Sequence, residues 1–286
     1  NKVIVISDKG RDETINQKVR EYIQLDSCFE YLENKENKGF VFTCNVGMNY
    51  SHNDVILLNS DTVVTNGFAD KLNYIAQLNK DTATVTPISN SAVQFSVPNI
   101  DTNNSDNEPH KTNEIVSRMF NKFSYIETYS AHGFCMYIKR DVINKIGIFD
   151  YENFKEGYGE ENDYSLRCLR AGFKNLLALN TYVYHIHGQS FGDERKKKIK
   201  KERAKRIREL YPELEDLNID FSKINPLIEI GRVLALLKPF VQKEDKVVLI
   251  SGQNLDSNVN KELISTLLSK NNVDKVILEG TLVDSS

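Results

Sequence analysis

The stretch DVILLNSDTVV, residues 54–64, decides how the fold is read. Val55 to Leu58 form an unbroken apolar run, the pattern of a strand buried on both faces. The chain then turns polar at once through Asn59, Ser60, Asp61 and Thr62, and becomes apolar again at Val63. A buried strand that ends on a carboxylate puts it at the rim of a sheet, where open α/β sheets bind ligands. Asp61 at such a rim suits a divalent cation that in turn holds a phosphate. An ordinary turn acid ahead of the next helix explains the same residue, and spacing leaves the two readings even.

Outward from that strand, apolar runs alternate with helical periods. KVIVI (2–6) reads as a buried strand, 12–24 as a helix, and GFVFTCNVGMN as a glycine-led turn into a helix. Residues 67–78 put Phe68, Leu72, Ile75 and Ala76 on one helical face, and TATVTPI is a further strand. The alternation predicts an α/β sandwich with a mostly parallel central sheet. Residues 98–112, PNIDTNNSDNEPHKT, read as a surface loop. GFCMYIKRDVINKIGIFD resumes as a strand and a short helix, and 160–171 form a helix closed by Gly172. NLLAL and TYVYHIHG are strand-like, and 193–210 form a basic helix that stops near Pro212. The expected boundaries are a main domain over 1–225, a helical linker over 226–241, and a βαβ segment over 242–286. That last segment resembles the start of a second Rossmann-like domain, although its loop SGQNLDSN lacks a GxGxxG fingerprint.

Composition narrows the class. Of 286 residues, 40% are apolar and 27% charged, ordinary values for a globular protein. A formal charge of −3 argues against general nucleic-acid affinity. Cys28, Cys44, Cys135 and Cys168 form no CxxC pair, which argues against a zinc ribbon and fits a reducing cytoplasm. No apolar run approaches the ~20 residues of a membrane span, and no signal peptide is read. With Asn1 rather than Met at its head, the chain is expected to be a piece of a longer protein.

Two further constellations carry chemistry. In GYGEENDYSLRCLRAG (157–172), Glu160, Glu161 and Asp163 crowd the first turn of a helix. Dipole complementation and an Asp163–Arg167 pair explain two of these acids, but not the two glycines before them, which let a ligand or another backbone come close. In YHIHG (184–188), His185 and His187 share one face of a strand and could supply a metal ligand. The run RKKKIKKERAKRIR (195–208) holds ten basic residues in fourteen. It reads either as a solvated face or as a contact for anionic lipid or a polyanionic acceptor.

Eight blocks in order resemble bacterial family 2 glycosyltransferases of the GT-A fold. They are SDKGRDET (7–14), ENKENKGFVFTCNVGM (33–48), DVILLNSDT (54–62), TPISNSA (86–92), GFCMYIKRD (133–141), GIFD (147–150), GYGEENDYSLR (157–167) and YHIHGQSFG (184–192). The likeness runs from Lys2 to about Leu237 and points most to modules of multidomain proteins that build bacterial surface polysaccharides. It implies an inverting transfer of sugar from a nucleotide-diphosphate donor to a glycan or lipid-linked acceptor hydroxyl, with Mn²⁺ or Mg²⁺ as cofactor. By the same resemblance Asp61 and His185 hold the metal, and Glu161 is the general base. Asp8, Asn37, Gly39, Asn45, Asn59 and Asp61 line the donor side, and Gly133, Phe134 and Glu160 the acceptor side. It also implies cytoplasmic chemistry at the inner face of the membrane, which the 195–208 helix would contact. Three departures stand out. The family's opening strand is not seen ahead of Asn1, so the chain alone is expected to be weak or inactive. Asn59 stands where the first acid of the metal motif is usual, and Cys44 where many relatives carry an arginine. A nucleotidylyltransferase and a non-catalytic carbohydrate-binding or scaffolding module are the rival readings.

Overall fold

The computed structural model describes residues 2–10, 13–120, 124–186, 193–238, 247–251 and 275–279. The first half alternates as the periodicity requires. Its order is β1 (Val3–Ser7), α1 (Glu13–Ile23), β2 (Phe29–Glu33), α2 (Phe40–Tyr50), β3 (Val55–Leu58), β4 (Thr62–Val63), α3 (Phe68–Leu78) and β5 (Thr82–Ile88). After a short 3-10 turn come α4 (Pro109–Met119), β6 (Tyr125–Thr128), β7 (Cys135–Ile138), α5 (Arg140–Ile146), α6 (Tyr151–Phe154) and α7 (Glu160–Arg170). The rest is β8 (Lys174–Tyr182), β9 (Tyr184–His185), α8 (Asp193–Leu210), α9 (Leu214–Ile224), α10 (Leu227–Leu237), β10 (Val247–Ser251) and β11 (Lys275–Glu279).

A five-stranded sheet of order β3-β7-β5-β8-β6 forms the centre. It is mixed rather than mostly parallel. Only the β5–β8 ladder is parallel, while β3–β7, β5–β7 and β6–β8 are antiparallel. Alternation along the chain reports helix and strand but not strand direction, and β6 and β7 run against their neighbours. Every residue of β5 is buried, because helices and loops cover both faces of the middle strand. Burying each large side chain there contributes about 1.5–3 kcal/mol. β1 and β2 pair in parallel as a separate ribbon. The ribbon and the large sheet share helix α2, which packs on both β1 and β3, with Ile6 3.2 Å from where a Cβ on Gly47 would sit. Both flanking strands are apolar and yet part-exposed, Val3 to 45% and Leu58 to 44%.

Three expectations change. The 98–112 segment is anchored: Asp106 is buried and accepts hydrogen bonds from Thr112, Tyr182, the Glu108 N–H and Lys238. Burial works to raise the Asp106 carboxyl, but these donors outweigh it and hold it below the ordinary carboxylate range. Its second half begins α4, which was not foreseen. Within the stretch expected as a linker, Leu227, Ile230, Leu234 and Leu237 of α10 are buried in the same cluster as Val85, Ile88 and Leu177. Of the βαβ segment, β10 and β11 pair in parallel, and the residues between them lie outside the described set. Among the described residues no helix is long and apolar enough to cross a membrane.

Gly231 lets α10 lie on the 98–106 loop. A Cβ there would stand 1.8 Å from the Pro98 carbonyl oxygen. Overlap with backbone cannot be relieved by a rotamer change. Gly231→Ala is expected to lower stability by about 3 kcal/mol, read as a lower urea midpoint at unchanged slope.

Candidate active site

The polar turn after β3 is closed by the Thr62 hydroxyl, which donates to the Asn59 carbonyl at 2.7 Å. β4 then pairs antiparallel with β9, placing Thr62 opposite His185, and the Ile186 N–H donates to the Asp61 carbonyl at 2.8 Å. This ladder brings His185 Nε2 to 3.3 Å from Asp61 Oδ1. His185 Nδ1 lies 3.0 Å from the Ser91 carbonyl, which can only accept, so Nδ1 donates there and Nε2 is the ring nitrogen turned toward Asp61. A neutral imidazole nitrogen and a carboxylate oxygen on a strand end are a donor pair that fits a divalent cation. Among the described residues no group of three or more His, Cys, Asp or Glu side chains could hold a metal. The pair would rely on phosphate oxygens and water for its remaining ligands, as Mg²⁺-type sites do. His187 lies outside the described residues.

Residues that sequence reading left without a role hold His185 in place. Asn90 accepts from the His185 N–H at 2.7 Å and donates to its carbonyl at 2.9 Å. The Phe134 ring stacks on the imidazole at 5.4 Å and 18°. Phe134 is thus buried support beneath His185 rather than an acceptor wall. Its carbonyl accepts from the Asn59 N–H at 2.9 Å, tying the two sides of the turn together. Gly133 lies opposite Phe40, whose ring is 3.9 Å from where its Cβ would be.

The acidic pair stands at the head of α7. Gly157, Tyr158 and Gly159 have φ of 86°, 66° and 137°, and only glycine adopts such angles freely. A Cβ on Gly159 would meet Phe154 at 2.9 Å and Ile207 at 3.2 Å, so close packing of α6 and α8 explains this glycine. Asp163 donates nothing to the site: Arg167 holds one oxygen at 2.8 Å and the Tyr211 hydroxyl the other at 2.6 Å. Glu160 is 5% exposed, buried beside Glu161 rather than open to an acceptor. The segment 130–134 links the two halves of the site. Ser130 donates to Asn162, and the Ala131 N–H to Ser165 on α7, while Phe134 reaches Asn59 and His185. Five extended residues span at most roughly 17 Å, which bounds the separation of the two halves. His132 sits in this segment, and burial, with His185 beside it, pushes its imidazole down to about 4. It is neutral at neutral pH and was not foreseen, though its place just before Gly133 was the signal.

The donor-side residues divide. The Asp8 carboxylate accepts from Asn34 Nδ2 at 2.8 Å, the Lys38 N–H at 3.0 Å and the Gly39 N–H at 2.6 Å. Asn37 donates to the Asp8 carbonyl at 2.8 Å, so Asp8, Asn37 and Gly39 form one knot at the head of α2. Asn45 is buried. Its amide donates to the Phe149 carbonyl and accepts from the Phe149 N–H, both at 2.9 Å, clamping α2 to the GIFD turn. Asn45→Ala would leave two buried backbone groups unpaired and is expected to lower stability by about 2 kcal/mol. Thermal unfolding should register that loss, while nucleotide-sugar affinity of the folded variant stays unchanged.

Comparison with known proteins agrees with this architecture. The model for "Glycosyl transferase family 2" matches residues 1–147. No curated protein matches the chain. GalNAc-T7, solved with UDP, GalNAc and Mn²⁺, is similar at 16% identity and TM-score 0.53, covering 79% of this chain and 52% of that one. The mannosyltransferase PcManGT from Pyrobaculum calidifontis, solved with GDP-Man and Mn²⁺, is similar at 12% identity and TM-score 0.51, covering 95% of this chain and 72% of that one. The chain thus spans about half the length of the first. At these identities the structural likeness speaks for the fold alone. The family match, the strand-end turn and the mixed sheet agree: the chain belongs to glycosyl transferase family 2 and has the GT-A fold.

Proposed function

We propose that this chain is an inverting, metal-dependent glycosyltransferase that moves a sugar from a nucleotide-diphosphate donor to an acceptor hydroxyl. One observation carries the reading: Nε2 of His185 and the Asp61 carboxylate converge at 3.3 Å on the rim of the sheet. Both similar structures were solved with Mn²⁺ and a nucleotide or nucleotide-sugar. Asp61 and His185 would hold Mn²⁺ or Mg²⁺, which when bound stabilises the negative charge that develops on the leaving diphosphate. Asn90 and the Ser91 carbonyl orient His185 for that task. Glu161 accepts the proton of the acceptor hydroxyl as its oxygen attacks the anomeric carbon.

The acceptor side is proposed from the basic helix. Ile199 and Ile207 of α8 turn inward, and Lys197, Lys198, Lys201, Lys205 and Arg208 are exposed. With no apolar side chain to insert, contact with an anionic membrane face would be electrostatic. A lipid-linked saccharide of bacterial surface-polysaccharide synthesis, presented at the inner face of the membrane, suits such a surface. Co-sedimentation with vesicles rich in phosphatidylserine should occur at low salt and fall steeply toward 0.5 M salt, about a 4 Å screening length. Binding that ignores salt would refute the contact.

The part-exposed edges of β1 and β3 under one helix, which pair with no further strand among the described residues, favour an additional strand between them in the working enzyme. They also favour the second reading, a non-catalytic module, for the chain on its own. Both are tested by donor hydrolysis and transfer with Mn²⁺, for this chain and for one extended at its N-terminus. The extended chain should turn over faster, and Asp61→Asn or His185→Ala should weaken Mn²⁺ binding at least tenfold by calorimetry. Glu161→Gln should lower kcat by ~10²–10⁴-fold with donor affinity kept. Unchanged metal affinity in both metal-side variants would overturn the assignment.

A further inference from the structure

Glu160 and Glu161 are consecutive carboxylates with unusual surroundings. Oε2 of each is buried without a hydrogen-bond partner. Neither residue makes an ion pair among the described residues. What faces them is neutral. From α2 comes the Cys44 thiol, pushed far up by burial and then by the two carboxylates. From the turn before α7 comes the Tyr158 phenol, raised by burial and by the same pair. From α8 comes Ile207, against Gly159. The nearer cations of α8 are engaged elsewhere: Lys200 lies over the Tyr158 ring at 5.2 Å, and Arg203 is held by the Asn153 carbonyl and Glu156.

Two negative charges in one buried place, with no ion pair among the described residues, are less stable than one charge and one proton. We propose that Glu160 and Glu161 hold a single proton between them, on Glu160, and that Glu160 is a positioning residue whose O–H donates to Glu161 and keeps the ionised base aimed at the acceptor. Burial first, and the charge of Glu161 second, hold the Glu160 carboxyl well above the ordinary carboxylate range. The turn of three positive-φ residues leads directly into the head of α7, where both side chains are held with a buried carboxylate oxygen. In the reaction, the acceptor O–H bond breaks and its proton passes to Glu161. The acceptor oxygen bonds to the anomeric carbon, and the bond from that carbon to the diphosphate oxygen breaks, its electron pair leaving on the phosphate. The pair then holds two protons and returns one to solvent before the next turnover. Above the titration of Glu160 a second charge appears beside the base and its donor is lost, so activity falls on the alkaline side.

This role rests on the proposed transferase reaction, so the test has readouts with and without turnover. Infrared difference spectra of the whole chain at neutral pH should show the carbonyl band of a protonated carboxylic acid that is missing in Glu160→Gln. Thermal stability gives a second readout. A carboxyl with a raised folded-state pKa keeps its full share of stability below the unfolded value of about 4.3 and loses it as pH rises through the folded value. Wild type and Glu160→Gln should therefore differ least below about pH 4.3. The variant should gain steadily on wild type as pH rises above that value. In the N-terminally extended chain, Glu160→Ala should lower kcat about 100-fold through loss of alignment. Glu160→Gln, which can still donate, should recover most of that loss and erase the alkaline fall. An unaltered infrared band in Glu160→Gln overturns the proposal, as does an alkaline limb that survives the substitution. If no protein transfers sugar, the reaction assigned above fails, while the band and the stability curves still decide where the proton lies.

Discussion

Two short strands hold the strand-end carboxylate against an imidazole. The pairing of Thr62 with His185, together with the Ile186 N–H on the Asp61 carbonyl, joins residues more than a hundred positions apart in the chain. Asn90 grips both backbone groups of His185, and the Ser91 carbonyl lies 3.0 Å from its Nδ1. Backbone hydrogen bonds do this more rigidly than side-chain packing, because each peptide group has few ways to be satisfied. The site's geometry thus depends on a ladder of only two residue pairs, and on the 89–91 turn beside it.

Everything around that ladder supports it. Phe134 packs under His185 and ties Asn59 to β7. The 130–134 segment carries the same constraint across to α7, where Glu160 and Glu161 lie. On the far side, α10 presses through Gly231 on the loop that begins at Pro98, and Lys238 reaches Asp106 in that loop. Loop 98–106 in turn meets Asn90 through Asn104. A helix late in the chain is therefore connected, contact by contact, to the imidazole in the cleft.

The two acidic features at the cleft use opposite physics. Asp61 is part-exposed at the sheet rim beside the His185 Nε2, where a cation can approach. Glu160 is enclosed and makes no ion pair among the described residues, so a proton is the cheaper counter-charge. Asp163, in the same helical turn as Glu160, is satisfied by Arg167 and Tyr211 and takes no part in the cleft. Residue type alone does not separate these three acids; their surroundings do.

Much of the framework was legible in the sequence. The apolar run before Asp61, the helical face of Phe68, Leu72, Ile75 and Ala76, and the basic run of α8 each follow from local periodicity, which a helix or strand imposes on any chain. The same logic placed Asp61 at a strand end and paired Asp163 with Arg167. Sheet direction, the burial of Asp106, the place of α10 in the core and the clamping role of Asn45 were not legible, because each depends on partners distant in the chain. His132 and Asn90 entered the site for the same reason: their neighbours are chosen by tertiary packing. Local spacing determined which residues had the chemistry to act, and only the folded contacts decided which of them face the cleft.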